Sequence, residues 1–159
     1  MQRGWFLIGE KKKVETPKKK ESKTIIGALC LKTRKIYRKK TDKGTSQTFI
    51  RFLYQLKRSF PDVLIILISD NSSIHTSKKM EAFLSRNPLI KIRFLTPYSP
   101  EYNPIERFRL WLKKKVYGSK SYQSVNEVIS KIRKFIWYYH KDRLVDIINF
   151  NFQPYAEIL

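Results

Sequence analysis

Six consecutive apolar residues, Val63-Leu64-Ile65-Ile66-Leu67-Ile68, end abruptly in Ser69-Asp70-Asn71. The run has strand length and is mostly β-branched or aliphatic, so it predicts a central strand covered on both faces. A strand of that kind needs layers above and below it. The 42% hydrophobic content of the 159 residues is enough for one such domain. The run is also the longest purely apolar one, and it is far too short to cross a bilayer.

The flanking sequence supplies those layers. Thr24 to Leu31 reads as a strand, with Lys35 to Lys39 as its hairpin partner across Lys32-Thr33-Arg34. Phe49, Leu53, Leu56 and Phe60 recur at helical spacing from Ser46 until Pro61 stops the helix. A short helix is predicted from Ser77 to Ser85, with Met80, Phe83 and Leu84 inward, and the alternation Ile90-Lys91-Ile92-Arg93-Phe94 predicts a strand with one exposed face. Asn103 as N-cap, Pro104 at the first position and Glu106 at the third open a helix to about Tyr117, with Ile105, Phe108, Leu112 and Val116 on one side. Trp111 reads as core. After a Ser124 cap, a last helix from about Val125 to Tyr139 buries Val128, Ile132, Phe135 and Ile136. The short apolar start Trp5 to Gly9 reads as extended, residues from about 10 to 23 as a lysine-rich loop, and 122–159 as the C-terminal helical part of one domain spanning 1–159. The order is that of an α/β fold, a mixed sheet with helices on its faces.

Charge narrows the partners. Thirty-four Lys and Arg against 13 Asp and Glu give a formal charge of +21, which points to a polyanion. Between Lys11 and Lys43 alone there are 14 basic and 3 acidic residues. A solvated loop explains that stretch, and so does a surface that follows phosphates; the excess elsewhere favours the second. No amphipathic basic helix next to an apolar anchor, and no signal-peptide pattern, points to a membrane. The chain reads as a cytoplasmic, DNA-associated protein. Cys30 is the only cysteine, so an intrachain disulfide is excluded and an inert core thiol is expected.

Two carboxylates stand out. Asp70 falls at the carboxyl end of the apolar strand, where open α/β sheets hold ligands; the same Asp-Asn-Ser could simply begin a turn. Glu106 opens a helix, where a capping role worth about 1 kcal/mol would also explain it. If the two converge, their hard oxygens suit Mg²⁺ or Mn²⁺ in a two-metal site.

The surrounding residues carry a more specific signal. Asp70-Asn71-Ser72-Ser73-Ile74-His75, then Thr96-Pro97-Tyr98-Ser99-Pro100-Glu101-Tyr102-Asn103-Pro104-Ile105-Glu106, resembles the signature of mariner-like insertion-sequence transposases of the DDE superfamily. Thirty-five residues separate Asp70 from Glu106, close to the family's usual gap. The likeness extends to Arg3-Gly4-Trp5, to Ile26-Gly27-Ala28-Leu29 and to Trp111-Leu112-Lys113. The resemblance implies an RNase H-like mixed sheet flanked by helices and metal-dependent cleavage and strand transfer of transposon DNA. Asp70 and Glu106 become the catalytic metal ligands, and Asn71, His75, Pro97, Tyr98, Ser99, Pro100, Asn103 and Pro104 the supporting motif. Lys18, Lys19, Lys20, Arg107, Lys113, Lys114 and Lys115 are then placed along DNA. His75 on this reading orders the loop after Asp70 or approaches DNA, or is a surface residue without a role.

One element departs from the pattern. The family's first aspartate lies on a strand upstream of the Arg-Gly-Trp segment, and Asp42 and Asp62 do not replace it. The sheet is therefore expected to lack its first central strand, the metal site to be incomplete, and the helix-turn-helix that reads transposon ends to be absent. An upstream transposase fragment or a homodimer on paired ends would be the protein partners. The competing function is a basic nucleic-acid-binding remnant that performs no chemistry.

Overall fold

The computed structural model describes residues 21–33, 35–96, 103–117 and 122–139. Strands β1 (Thr24–Leu29) and β2 (Ile36–Thr41) form an antiparallel hairpin, with Leu29 opposite Ile36 and Thr24 opposite Thr41. Strands β3 (Ile65–Ser69) and β4 (Ile90–Phe94) form a parallel pair, Ile65 opposite Ile90 and Ser69 opposite Phe94. Helix α1 (Ser46–Ser59) joins the two pairs, α2 (Lys78–Ser85) links β3 to β4, and α3 (Pro104–Tyr117) and α4 (Val125–Tyr139) follow. These are the predicted elements in the predicted order.

Local chemistry explains why α1 starts where it does. Thr45 is extended, its hydroxyl accepts from the Thr48 N–H, and Thr48 in return accepts from the Thr45 N–H, a capping box that satisfies donors at both positions. Lys57 and Arg58 in the last turn suit the negative end of the helix dipole. The helix buries Phe49, Ile50, Phe52, Leu53 and Leu56, so its apolar stripe is wider than the spacing of Phe49, Leu53, Leu56 and Phe60 predicts. Phe60 is half-buried and tilted against Tyr37 at 5.2 Å between ring centroids.

That stripe holds the two strand pairs together. It packs with Met80 and Phe83 of α2 against Ile26 and Ala28 of β1, Tyr37 of β2, Ile65 and Leu67 of β3, and Ile90 and Ile92 of β4. Because side chains alternate along a strand, Leu29 and Ile36 point the other way. There they join Phe108 and Val116 of α3 and Ile132 and Ile136 of α4 in a second cluster. The hairpin thus lies between an α1 layer and an α3–α4 layer. Trp111 is half-buried at the margin of the second cluster, edge-on to Phe135. Tyr122 donates to the Val116 carbonyl and ties the start of α4 to the end of α3.

Among the described residues the strands of this mixed α/β fold form two two-stranded sheets, in which β1 and β3 are each paired along one edge. Two expectations about burial are corrected. The strand carrying the apolar run is not buried on both faces. It begins at Ile65, leaving Val63 and Leu64 exposed, and every residue from Ile65 to Ser69 is partly accessible. Ile65 and Leu67 face α1, whereas Ile66 and Ile68 belong to neither cluster. Cys30, expected in the core, is half-buried just after β1.

Candidate active site

Asp70 follows β3 directly, at the carboxyl end of the parallel pair, where the Leu95 N–H closes the ladder on the Ser69 carbonyl at 2.9 Å. Beyond the last ladder bond, the strand's C-terminal face opens and the Asp70 side chain is 70% exposed. Residues 72 to 75 form a turn, with the His75 N–H donating to the Ser72 carbonyl at 2.8 Å. That turn folds the imidazole back onto its own motif. His75 Nε2 lies 3.3 Å from Asp70 Oδ1, its ring is edge-on to Phe49 at 4.3 Å, and only 14% of its side chain is exposed.

Burial pushes the His75 imidazole below its ordinary value, and the Asp70 carboxylate pulls it part of the way back. With its pKa lowered in this way the ring is mostly neutral around neutral pH, and its 3.3 Å approach to Asp70 is a close polar contact without hydrogen-bond geometry, while Nδ1 is buried with no partner. Of the three roles open to His75, ordering the loop after Asp70 is the one this geometry supports.

Glu106 lies in the first turn of α3, where a carboxylate is favoured by the helix dipole. Its oxygens accept from Arg109 Nη1 at 3.2 and 3.5 Å, one turn along the same helix. The i,i+3 spacing was visible in the sequence, but Arg109 was not singled out. Asn103 and Pro104 are buried at the start of α3, and the Glu106 N–H donates to the Asn103 carbonyl at 3.0 Å, so this part of the motif anchors the helix. Asn71, Arg107, Lys113, Lys114 and Lys115 are exposed. Pro97, Tyr98, Ser99 and Pro100, with Lys18, Lys19 and Lys20, lie outside the described residues.

The donor types suit Mg²⁺ or Mn²⁺, and the exposed Asp70 oxygens are open to an ion. The donor number does not suffice: among the described residues no three of His, Cys, Asp and Glu stand together as a metal site requires. The residues fit a divalent ion in kind and complete only part of its site. Neither earlier aspartate supplies the remainder. Asp42 is engaged by Lys23 at 2.5 Å beside the end of β2, and Asp62 precedes β3, at the opposite end from Asp70.

Comparison with known proteins gives the family and the fold. The family model described as DDE superfamily endonuclease matches residues 1–129. An uncharacterized 39 kDa protein of insertion element IS630 from Shigella sonnei is 31% identical over 133 residues, 83% of this chain and 39% of that protein. The crystal structure of the catalytic core domain of BIV integrase superposes with a TM-score of 0.54 at 19% identity, over 75% of this chain and 76% of that one. At that identity the likeness carries the fold, which is RNase H-like.

Proposed function

The chain belongs to the DDE superfamily of endonucleases, and from that premise we propose that it is a catalytic segment of an insertion-element transposase. Its substrate is DNA, at transposon ends and target, and its reaction is metal-dependent strand cleavage and transfer. The observation that carries this reading is the placement of Asp70 at the open end of the β3–β4 pair, with His75 Nε2 3.3 Å from its carboxylate. The chain spans 39% of the length of its Shigella sonnei relative, so the activity of a whole transposase is part of the proposal.

In this reading Asp70 and Glu106 are two ligands of the Mg²⁺ or Mn²⁺ site. Bound there, the ions would supply Lewis acidity and lower the pKa of water for in-line attack on a phosphodiester. The chain's own residues prepare the ligands. His75 stands against one oxygen of Asp70, and Arg109 restrains Glu106 until a cation competes for it. The exposed Lys113, Lys114 and Lys115 continue the same helix and offer charge to the DNA backbone. The remaining carboxylate would come from a strand that hydrogen-bonds the edges of β1 and β3 that no described strand pairs, on an upstream fragment of the transposase. A homodimer would bring two such sites to paired ends.

Nicking of supercoiled plasmid tests this directly. We expect Mn²⁺-dependent nicking when the chain is mixed with a fragment bearing the upstream Asp strand, and loss to background with Asp70→Asn or Glu106→Gln. Salt-sensitive DNA binding without nicking in every mixture would instead support the non-catalytic, nucleic-acid-binding reading.

A further inference from the structure

A groove of about 830 Å³ opens at the other end of the β3–β4 pair, where Val63, Ile65, Leu89 and Ile90 meet the C-terminal half of α1. Its walls carry Lys39 from β2 and Arg51, Lys57 and Arg58 from α1, against Asp62 as the one acid. Lys39, Arg51 and Arg58 make no ion pair among the described residues. Three unpaired cations from two elements therefore converge on one concavity.

The fourth cation is positioned. Lys57 Nζ donates to Asn87 Oδ1 at 2.8 Å, and Asn87, 6% exposed, is itself fixed by donating from Nδ2 to the Phe83 carbonyl at 2.8 Å. An ammonium has three donors, so the bond to Asn87 orients Lys57 and leaves two for a ligand. Arg51 and Arg58 are two helical turns apart on one face of α1, with Tyr54, 49% exposed, between them. Seven residues of helix rise roughly 10.5 Å, long enough to reach past a single phosphate of a DNA strand.

We propose that this groove is a second nucleic-acid site, which takes a phosphodiester backbone along Arg51, Lys57 and Arg58 independently of the Asp70–Glu106 site. The proposal takes DNA as the polyanion from the reading above but needs none of its metal chemistry. Five strand residues at ~3.3 Å each put about 17 Å between the groove and Asp70. A duplex engaged at Asp70 thus leaves the groove open for another segment of DNA, and the surplus of charge has a defined use there.

The test is binding of a fluorescent random-sequence duplex to the full chain without divalent metal, as a function of salt. Arg51→Ala/Arg58→Ala is expected to flatten the plot of log K against log salt by about 2 units, as the loss of two phosphate contacts would. The charge-matched pair Lys131→Ala/Lys134→Ala, on the exposed side of α4, should change it far less, and Asp62→Asn should tighten binding. A photo-crosslinker on Val63→Cys, in a Cys30→Ser background, should capture the duplex and lose it with the arginine pair. Asp70→Asn/Glu106→Gln should leave the crosslink from position 63 and the change in slope caused by the arginine pair in place, so failure of the nicking chemistry and failure of the groove are distinguishable. Equal losses from the two charge-matched pairs, or no crosslink from position 63, would overturn the proposal and leave an ordinary solvated basic face.

Discussion

His75 Nε2 lies 3.3 Å from Asp70 Oδ1 while its other nitrogen is buried without a partner. The side chain thus does two separable things: it fills space beside Phe49 and it sets a polar ring edge against a carboxylate. His75→Ala removes both and should destabilise the chain by about 1 to 3 kcal/mol. His75→Phe keeps the packing and removes the stranded nitrogen, so its urea midpoint should recover most of that loss although the polar contact to Asp70 is gone. Equal midpoints for the Ala and Phe variants would show that the contact to Asp70, not the ring's packing, supplies the stability.

Phe52 is fully buried at the point where α1 meets the strand pairs. Truncating a buried phenylalanine typically costs about 3 to 5 kcal/mol through lost burial and the void left behind. A small domain has little more than that to lose. Phe52→Ala should therefore abolish the cooperative thermal transition seen by circular dichroism. A retained transition within a few degrees of the unmodified chain would mean that the surrounding side chains collapse into the void.

Lys23 bonds Asp42 at 2.5 Å, and this hydrogen bond holds the Asp42 carboxyl below its ordinary value of 3.8. For an acid whose folded pKa is depressed, the stabilisation is complete above the unfolded value and is lost as pH falls through the folded one. The same contact raises Lys23, so at the alkaline end the stabilisation disappears as pH rises through the folded lysine value. Asp42→Asn should accordingly lower the urea midpoint at neutral pH and converge with the unmodified chain in strong acid. The difference should be small and should shrink with added salt, because both groups are at the surface. A gap that persists in acid would assign the effect to something other than this pair.

Much of the fold was legible because its signals are local. Helical spacing over Ser46–Ser59, alternation over Ile90–Phe94 and the Asn-Pro start of α3 each depend on neighbours within a few residues. Burial of β3 was misread for the complementary reason. Six apolar residues in a row report what could be buried, whereas Ile66 and Ile68 remain partly accessible because no described element covers that face. At the proposed site, Asp70 and Glu106 are assigned from motif and spacing. The closure of His75 onto Asp70 was not, because it depends on the Ser72–His75 turn and on Phe49 arriving from a helix more than twenty residues earlier. The basic groove was likewise hidden, since Arg51, Lys57 and Arg58 read only as the outer face of a helix until Asn87 and the strand ends are brought beside them.

Among the described residues one edge each of β1 and β3 is unbonded, which bears on how copies of this chain meet one another. An open edge is a template for pairing with another molecule, and proteins commonly guard such edges with charge. Here the guard is the collective repulsion of a body carrying +21. At about 1 M salt the Debye length contracts to about 3 Å and that repulsion no longer reaches a neighbour. Concentrated salt, the usual remedy for stripping nucleic acid from a basic protein, is thus the condition under which this chain should begin to aggregate through its sheets.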